Sequence, residues 1–272
     1  MTNASPATTA SADRPEPGSV EAWAFEYITA CTLQHKLCPP AAPQRWETHP
    51  PERDIAEPGR PVELRPAHRN RAVPENLVSP GARAKLLHAF FHHELQAAEL
   101  MCWAILRFAH AEAAFRKGLL GICLDEIRHM NAYRAQIERL GFQIGDFPVR
   151  DWFWRRVPRC SSKLEFVAFM GMGLEAANLE HAPFFGQRFA AVGDTEAAAL
   201  QARIAHEELA HVRFAVNWFE RWTDGQDFET WQRSLPAPLS PLLLRGKSFD
   251  RNARLRAGMR EAFVHALERW EA

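Results

Sequence analysis

Apolar residues recur every three or four positions along most of this chain, which is the spacing of helices that bury one face. Four of these patterns are long, and the first runs through Leu87, Met101 and Ile105. The four predicted helices are 81–108, 112–140, 162–191 and 195–223. Short loops make each successive pair antiparallel, and the longer linker between the pairs allows one crossover connection. The pattern therefore predicts an all-α fold with a four-helix bundle over residues 81–225.

The flanking segments are shorter and richer in proline. Single helices are predicted over 19–36 and 250–271, where apolar positions again fall on one face. Ten prolines lie between Cys38 and Pro80, a density that excludes long helices and central strands and favours an ordered wrap over the bundle. The predicted division is a disordered tail (1–18), an N-terminal helix with Pro-rich wrap (19–80), the bundle (81–225), and a C-terminal loop and helix packed on it (226–272).

Composition and charge narrow the function classes. Lys plus Arg and Asp plus Glu number 33 each, so no net field draws the chain to nucleic acid, which we regard as an unfavoured partner. No apolar run has the roughly 20 residues needed to cross a bilayer. The first residues lack the basic and apolar stretches of a signal peptide. The five cysteines are scattered along the chain, which indicates reduced thiols rather than a disulfide framework. A cytoplasmic location is therefore expected.

The motif Glu-x-x-His occurs twice in the chain, ending at His129 and His211. In each copy a lone glutamate comes 32 or 33 residues before the glutamate of the motif. A four-helix bundle can hold two metal ions with one Glu from each of two helices and Glu-x-x-His from each of the other two. Four carboxylates and two imidazoles suit iron or manganese. The predicted ligands are Glu94, Glu126, His129, Glu175, Glu208 and His211.

The helical period predicts which glutamates face the bundle interior. Glu94 lies one turn from Phe90 and so points into the apolar stripe, where a carboxylate is costly unless it is paired or metal-bound. Glu175 lies in a similar stripe of the third predicted helix. Glu99 and Glu180 come five positions later in each case, about 140° around the helix, and are expected to face elsewhere.

Four further residues are candidates for the surroundings of the metal pair. Asp125 and Glu207 directly precede the motif glutamates, where each can accept the second N–H of the histidine on the opposite helix. The alternative for both is an ordinary solvated acid. Asn178 is predicted to support the ligands or face the substrate, and His181 to be a further ligand, a proton shuttle or a structural histidine.

The stretches around these residues carry a resemblance to known proteins. HHELQAAEL, LDEIRHMNAY, GLEAANLEH and HEELAHVRF resemble the ferritin-like superfamily, and Asp-Glu-x-Arg-His is closer to its oxygen-activating members than to its iron-storage members. With HELQAAELMCWAILRF and RNARLRAGM, the chain is similar over roughly residues 20–265 to an uncharacterised ferritin-like family, the domain of unknown function numbered 455. The resemblance implies a metal pair held by the six predicted ligands, and it implies no substrate.

The leading functional hypothesis is a diiron-carboxylate oxidoreductase that activates oxygen, as a hydroxylase, oxidase or desaturase. The expected cofactor is two Fe ions, with Mn or mixed Mn/Fe as the alternative. The expected partners are dioxygen, a small organic substrate and an electron donor for which no binding motif is visible, and a homodimer is compatible with the sequence. The rival hypotheses are an iron-handling ferroxidase, a dimanganese enzyme that dismutates peroxide, and a non-catalytic bundle stabilised by metal.

Overall fold

The structure is a computed structural model that describes residues 14–67, 74, 76–245 and 248–271. Within these ranges the chain is all-helical, and the only β feature is an isolated bridge between Pro66 and Val149. The α-helices, numbered in chain order, are α1 (Val20–Thr29), α2 (Leu33–Leu37), α3 (Pro80–Arg107), α4 (Ala113–Arg139), α5 (Lys163–Phe166), α6 (Ala176–Ala191), α7 (Thr195–Thr223), α8 (Phe228–Arg233), α9 (Pro241–Leu244), α10 (Arg251–Arg256) and α11 (Glu261–Arg269). A 3₁₀-helix covers Val157–Arg159, and a π-helix covers Val167–Glu175.

The long helices form a bundle, as their apolar faces predict. Helix α3 packs along α4, α6 and the π-helix pack along α7, and α4 contacts α7. The ends of these helices follow local chemistry: Ser79 Oγ accepts from Ala82 N before α3, and Asp194 Oδ1 accepts from Ala197 N before α7. The bounds of α3 and α4 lie within one residue of the predicted ones, and those of α7 coincide with them. No helix of the described ranges is long and apolar enough to cross a membrane.

The third predicted helix differs from its prediction. Instead of one α-helix over 162–191, the chain forms α5, the π-helix and α6 in succession. Within the π-helix, a Cβ added at Gly171 would lie 2.2 Å from the Cβ of Ala215, so the missing side chain lets this segment approach α7 closely. A contact between distant segments leaves no trace in helical periodicity, which predicted a regular α-helix here. π turns are frequent at functional sites. Glu175 is the last residue of the π-helix.

Both terminal helix predictions need correction. The helix expected over 19–36 is two helices, because the chain leaves helical geometry after Thr29 and Thr32 caps α2. The helix expected over 250–271 is also two, α10 and α11. Gly258 has a φ of 94° between them, a left-handed conformation that ends a helix. An apolar face that continues across a break is therefore not sufficient to predict one helix.

The Pro-rich segment lies over α3 in its described residues. Trp103 Nε1 of α3 donates to Asp54 Oδ1 at 3.1 Å, and Arg53 N donates to Leu106 O at 3.0 Å. The expected tail is described only from residue 14, and there Glu16 N donates to Glu47 Oε1 at 2.5 Å. Residues 1–13 lie outside the described part of the chain, as do 68–73 of the wrap. The domain division itself stays a prediction.

Glu99 and Glu180 face away from the motif glutamates, and both are fully buried in ion pairs. Lys36 Nζ lies 2.7 Å and Arg60 Nη1 lies 2.6 Å from Glu99 Oε1. Arg254 Nη2 lies 2.9 Å from Glu180 Oε2. These pairs join α2, the wrap and α10 to the bundle, so the two carboxylates connect its outer layers to the core.

Candidate metal centre

The six predicted ligands meet in the bundle interior. The structure brings one ligand atom from each of four residues within 4.8 Å of one another, in two groups that share Glu126 and Glu208. The first group adds Glu94 and His129, and the second adds Glu175 and His211. The six are contributed by α3, α4, the π-helix and α7. Two overlapping four-residue groups are the arrangement that two ions bridged by shared carboxylates require.

The two histidines present the same edge to this centre. His129 Nδ1 lies 3.3 Å from Glu126 Oε2, and His211 Nδ1 lies 3.1 Å from Glu208 Oε2. His211 Nδ1 is also 3.0 Å from Glu126 Oε1. The i to i+3 spacing places each imidazole beside the glutamate of its own motif. Both Nδ1 atoms are therefore positioned to act as metal ligands.

The other ring nitrogen of each histidine is held by an acid of the opposite helix. His129 Nε2 lies 2.7 Å from Glu207 Oε2, and His211 Nε2 lies 3.2 Å from Asp125 Oδ2. Arg128 donates to both acids, at 2.5 Å to Asp125 Oδ1 and 3.0 Å to Glu207 Oε2. An acid that accepts from Nε2–H leaves the Nδ1 lone pair free for a metal. Asp125 and Glu207 thus each contact the histidine of the opposite helix.

Unpartnered oxygens test whether these residues fit a metal pair. Buried Oε1 atoms of Glu126, Glu175 and Glu208 accept no hydrogen bond. Glu126 Oε1 is close to His211 Nδ1, but the pair does not meet hydrogen-bond geometry. A buried carboxylate oxygen without a partner is costly, and a divalent cation satisfies it. Four carboxylates also balance the charge of two divalent ions, so the residues fit the group.

The protonation of the metal-free centre reflects burial and crowding. Burial, followed by repulsion from neighbouring carboxylates, raises the pKa of Glu94 and of Glu175 well above the ordinary range. Burial also disfavours the charged forms of Glu126, His129 and His211, but contacts with their neighbours outweigh it. The hydrogen bond with His129 and the nearby His211 lower the pKa of Glu126. Nearby carboxylates raise the pKa of His129 to about 9 and raise that of His211 well above its ordinary value. Protons therefore occupy the centre when metal is absent.

An aromatic cavity borders the centre on the side of Glu94 and Glu175. Its volume is about 530 Å³, which lies within the usual range for small-molecule sites. Both glutamates form part of its wall. The aromatic side chains around it are Phe90, Tyr133, Phe147, Trp152, Phe153 and Phe185. A small organic molecule in this cavity would lie directly against the candidate ligands.

Asn178 and His181 line this aromatic cavity instead of contacting the ligands. Within the described residues, no hydrogen bond joins either side chain to the six candidates. Burial lowers the pKa of His181; the charge of Glu180 opposes this shift and that of Arg254 adds to it, so the imidazole is neutral at pH 7. Of the two roles predicted for Asn178, its position in the cavity wall favours facing a substrate over supporting a metal ligand.

Three histidines of α3 complete the cavity wall, and sequence reasoning gave them no role. His88 Nε2 accepts from Gly145 N at 2.9 Å, and His92 Nε2 lies 3.0 Å from Asp151 Oδ1. Burial is the largest cause that lowers the pKa of both His88 and His93 to about 4. The sequence signal was the spacing of these histidines at one end of α3, but their partners come from the distant linker.

Comparison with known proteins gives a family and one relative. A Haemophilus influenzae protein described as "Uncharacterized protein" is 28% identical over 144 residues, which is 50% of this chain and 50% of the relative. The alignment thus spans about half the length of that relative. No solved structure matches the chain. The sequence profile of the family "Protein of unknown function (DUF455)" matches residues 20–265. The chain therefore belongs to the DUF455 family.

Proposed function

We propose that this chain is a ferritin-like dimetal-carboxylate oxidoreductase that uses two iron ions and dioxygen to oxidise a small organic substrate. The observation that carries the proposal is the aromatic cavity whose wall includes Glu94 and Glu175, two of six clustered donors. A storage site or a purely structural metal site has no need of a cavity of about 530 Å³ beside its ligands.

The two ions would be held by Glu94 and His129 on one side, by Glu175 and His211 on the other, and by carboxylates shared between them. Glu126 and Glu208 are the shared pair, since each belongs to both groups. When bound, the ions supply the oxygen chemistry that no amino-acid side chain can perform. Manganese is the alternative metal because it accepts the same oxygen and nitrogen donors.

The surrounding residues orient the ligands and exclude water. Asp125 and Glu207 keep each Nε2 as a donor, so Nδ1 stays aimed at the centre. Tyr133 is buried in the cavity wall, and its hydroxyl accepts from Gln201 Nε2 at 3.0 Å. This contact fixes the ring in the wall of the cavity. The aromatic wall would bind the apolar part of a substrate and keep bulk water from the reacting atoms.

Oxygen uptake tests the proposal. Chelator-treated protein is loaded anaerobically with two equivalents of Fe(II) and then mixed with oxygenated buffer in an oxygen electrode. We expect rapid uptake that needs the loaded centre and is lost in Glu208→Ala. The control Glu138→Gln, a change at an exposed position of α4, should retain it.

The metal can also be exchanged to separate the hypotheses. Rapid peroxide disproportionation by manganese-loaded protein, with slow oxygen uptake by iron-loaded protein, would favour the dimanganese enzyme. A centre that binds two ions and reacts with neither oxidant would refute the oxidoreductase and favour the non-catalytic bundle. Uptake that is equally fast in Glu208→Ala would show that iron reacts elsewhere on the protein.

A further inference from the structure

A second cavity lies beside the aromatic one and is lined by arginines. It has a volume of about 450 Å³ and lies between the linker after α4 and the loop that follows α8. We call it the arginine pocket. Its lining residues are Arg150, Trp152, Arg155, Arg156, Arg159, Pro236, Ala237, Pro238 and Leu239. None of these described lining residues carries a carboxylate. The pocket therefore concentrates positive charge in a chain whose overall charge is balanced.

The four arginines of the pocket have no acidic partner among the described residues. By contrast, Arg60 and Arg254 each form an ion pair with a buried glutamate. The one acid among residues 150–159, Asp151, is already held by Arg60 Nη2 at 2.8 Å and by His92 Nε2 at 3.0 Å. The four guanidinium groups are thus left with their charges uncompensated, which favours an anionic ligand.

Arg156 is held in place inside this pocket. Its guanidinium carbon lies 3.9 Å from the centre of the Trp152 ring, and its Nη1 donates to Trp152 O at 3.1 Å. Burial, followed by repulsion from Arg159, Arg155 and Arg150, lowers the pKa of Arg156, although it stays charged at pH 7. A guanidinium that is fixed before binding loses little entropy when an oxyanion arrives.

The arginine pocket and the aromatic cavity share part of their walls. Arg150 and Trp152 line both of them. Glu94 and Glu175 belong to the wall of the aromatic cavity, and Arg150 and Trp152 belong to the walls of both cavities. An elongated molecule that passes these two shared residues would place an anionic end among the arginines and an apolar end against the candidate metal ligands.

We propose that the arginine pocket binds the phosphate group of an amphipathic small molecule whose apolar part fills the aromatic cavity. The apolar half of this inference rests on the proposed function, because it makes that molecule the substrate. The phosphate half stands on the arginine pocket alone. Four guanidinium groups suit a phosphate dianion or a diphosphate better than a single carboxylate, because each phosphate presents several oxygens to forked donors.

A nucleic acid is the less favoured phosphate source. Its backbone is recognised by positive charge spread along a surface, and this chain has 33 basic and 33 acidic residues. The four arginines instead line one concave pocket that the loop 236–239 also borders. A single phosphate-bearing group fits such a pocket better than a polymer does.

Titration calorimetry on the metal-loaded full chain tests the inference with four probes. The probes are pyrophosphate, decyl phosphate below its micelle concentration, decanoate, and a single-stranded RNA 20-mer. The variant Arg155→Gln/Arg159→Gln removes two exposed arginines that have no ion pair, so the fold is not at risk. The control Arg203→Gln/Arg221→Gln makes the same charge change at exposed positions of α7. Metal content is measured for every variant.

We expect decyl phosphate to bind at least 10-fold more tightly than either pyrophosphate or decanoate. The pocket variant should weaken both phosphate probes by about 10-fold or more, from the loss of charge-assisted hydrogen bonds. The control and the metal content should be unchanged. If the chain holds no metal pair, the proposed function fails; pyrophosphate binding that is lost in the pocket variant would then still support the phosphate half of the inference.

Four results would overturn the inference. Phosphate binding that is unchanged in the pocket variant would place the anion elsewhere. Decyl phosphate that binds no more tightly than pyrophosphate would contradict the apolar half of the inference. Decyl phosphate that binds no more tightly than decanoate would contradict the preference for phosphate. RNA that binds more tightly than decyl phosphate, with the same loss in the pocket variant, would make the ligand a nucleic acid.

Discussion

Replacing Glu175 with glutamine separates a metal ligand from an ordinary buried acid. The carboxyl group lies at the end of the π-helix among three other glutamates, and burial and their repulsion raise its pKa well above the usual 4.5. In the metal-free protein it is therefore a neutral acid. Glutamine has the same shape and is also neutral, but it cannot donate a negative charge to a cation. The change should stabilise the metal-free protein and weaken metal binding.

The size of the stabilisation follows from the cost of holding the proton. In the unfolded chain the carboxyl has a pKa of 4.5 and is ionised at pH 7. Keeping it protonated in the folded state costs about 1.4 kcal/mol per pH unit above that value, or at most about 3–4 kcal/mol at pH 7. The unfolded state binds fewer protons, so wild-type stability falls as the pH rises above 4.5. The gain from Glu175→Gln should fall below about 1 kcal/mol at pH 5.

Urea unfolding of chelator-treated wild type and Glu175→Gln at the two pH values measures this difference. Glu180→Gln is the matched control, because it makes the same change on the same chain segment at another fully buried acid. Glu180 is ion-paired with Arg254, so its loss should destabilise the protein by about 3–5 kcal/mol. After metal loading, Glu180→Gln should retain both ions and Glu175→Gln should not.

The reasoning is refuted if Glu175→Gln destabilises the metal-free protein at pH 7 as strongly as Glu180→Gln does. That result would mean that Glu175 is ionised and paired without metal. A pH-independent gain would contradict the assignment of the gain to the held proton. Retention of two tightly bound ions by Glu175→Gln would remove this residue from the ligand set.

Three further predictions address the rest of the centre and its surroundings. Asp125→Asn removes the charge that holds His211 Nε2 and should weaken the affinity for divalent metal by about 10–100-fold. The control Glu138→Gln, at an exposed position, should leave this affinity unchanged. Competition with a coloured chelator measures the affinity of both variants. The apparent metal affinity should rise as the pH increases towards about 9, because His129 must release its proton before Nδ1 can bind a metal. An affinity that does not change with pH in the chelator competition would contradict this. Glu99→Ala leaves the buried Lys36 ammonium without its carboxylate, while Arg60 keeps Asp151. The change should lower the free energy of unfolding by about 3–5 kcal/mol, and the protein that remains folded should keep its metal. Loss of metal from that folded fraction would place Glu99 in the centre.

The six clustered residues were visible in the sequence because helical spacing determines them. The i to i+3 step joins Glu126 to His129, and one turn joins Glu94 to the apolar stripe. The cross-helix contact of His129 with Glu207 was also expected, since the acid precedes a motif glutamate on the facing helix. Regular helices carry such local relations into three dimensions, so a bundle site can be predicted from one sequence.

Contacts between distant segments could not be predicted in the same way. The π-helix that ends at Glu175 approaches α7 closely at Gly171, a contact that no period in the sequence encodes. The burial of Glu99 depends on Lys36 and Arg60, which come from two other segments. The arginine pocket likewise joins the linker to a loop after α8, although the dense arginines of 150–159 were a visible signal. These features required the folded chain.

Anomalous diffraction from a crystal of the iron-loaded protein tests the central claim most directly. Data collected on both sides of the iron edge locate every bound iron without reference to activity. The account predicts two peaks per chain, both in contact with Glu126 and Glu208, with one beside His129 and the other beside His211. A single peak, or iron bound away from these six side chains, would contradict it.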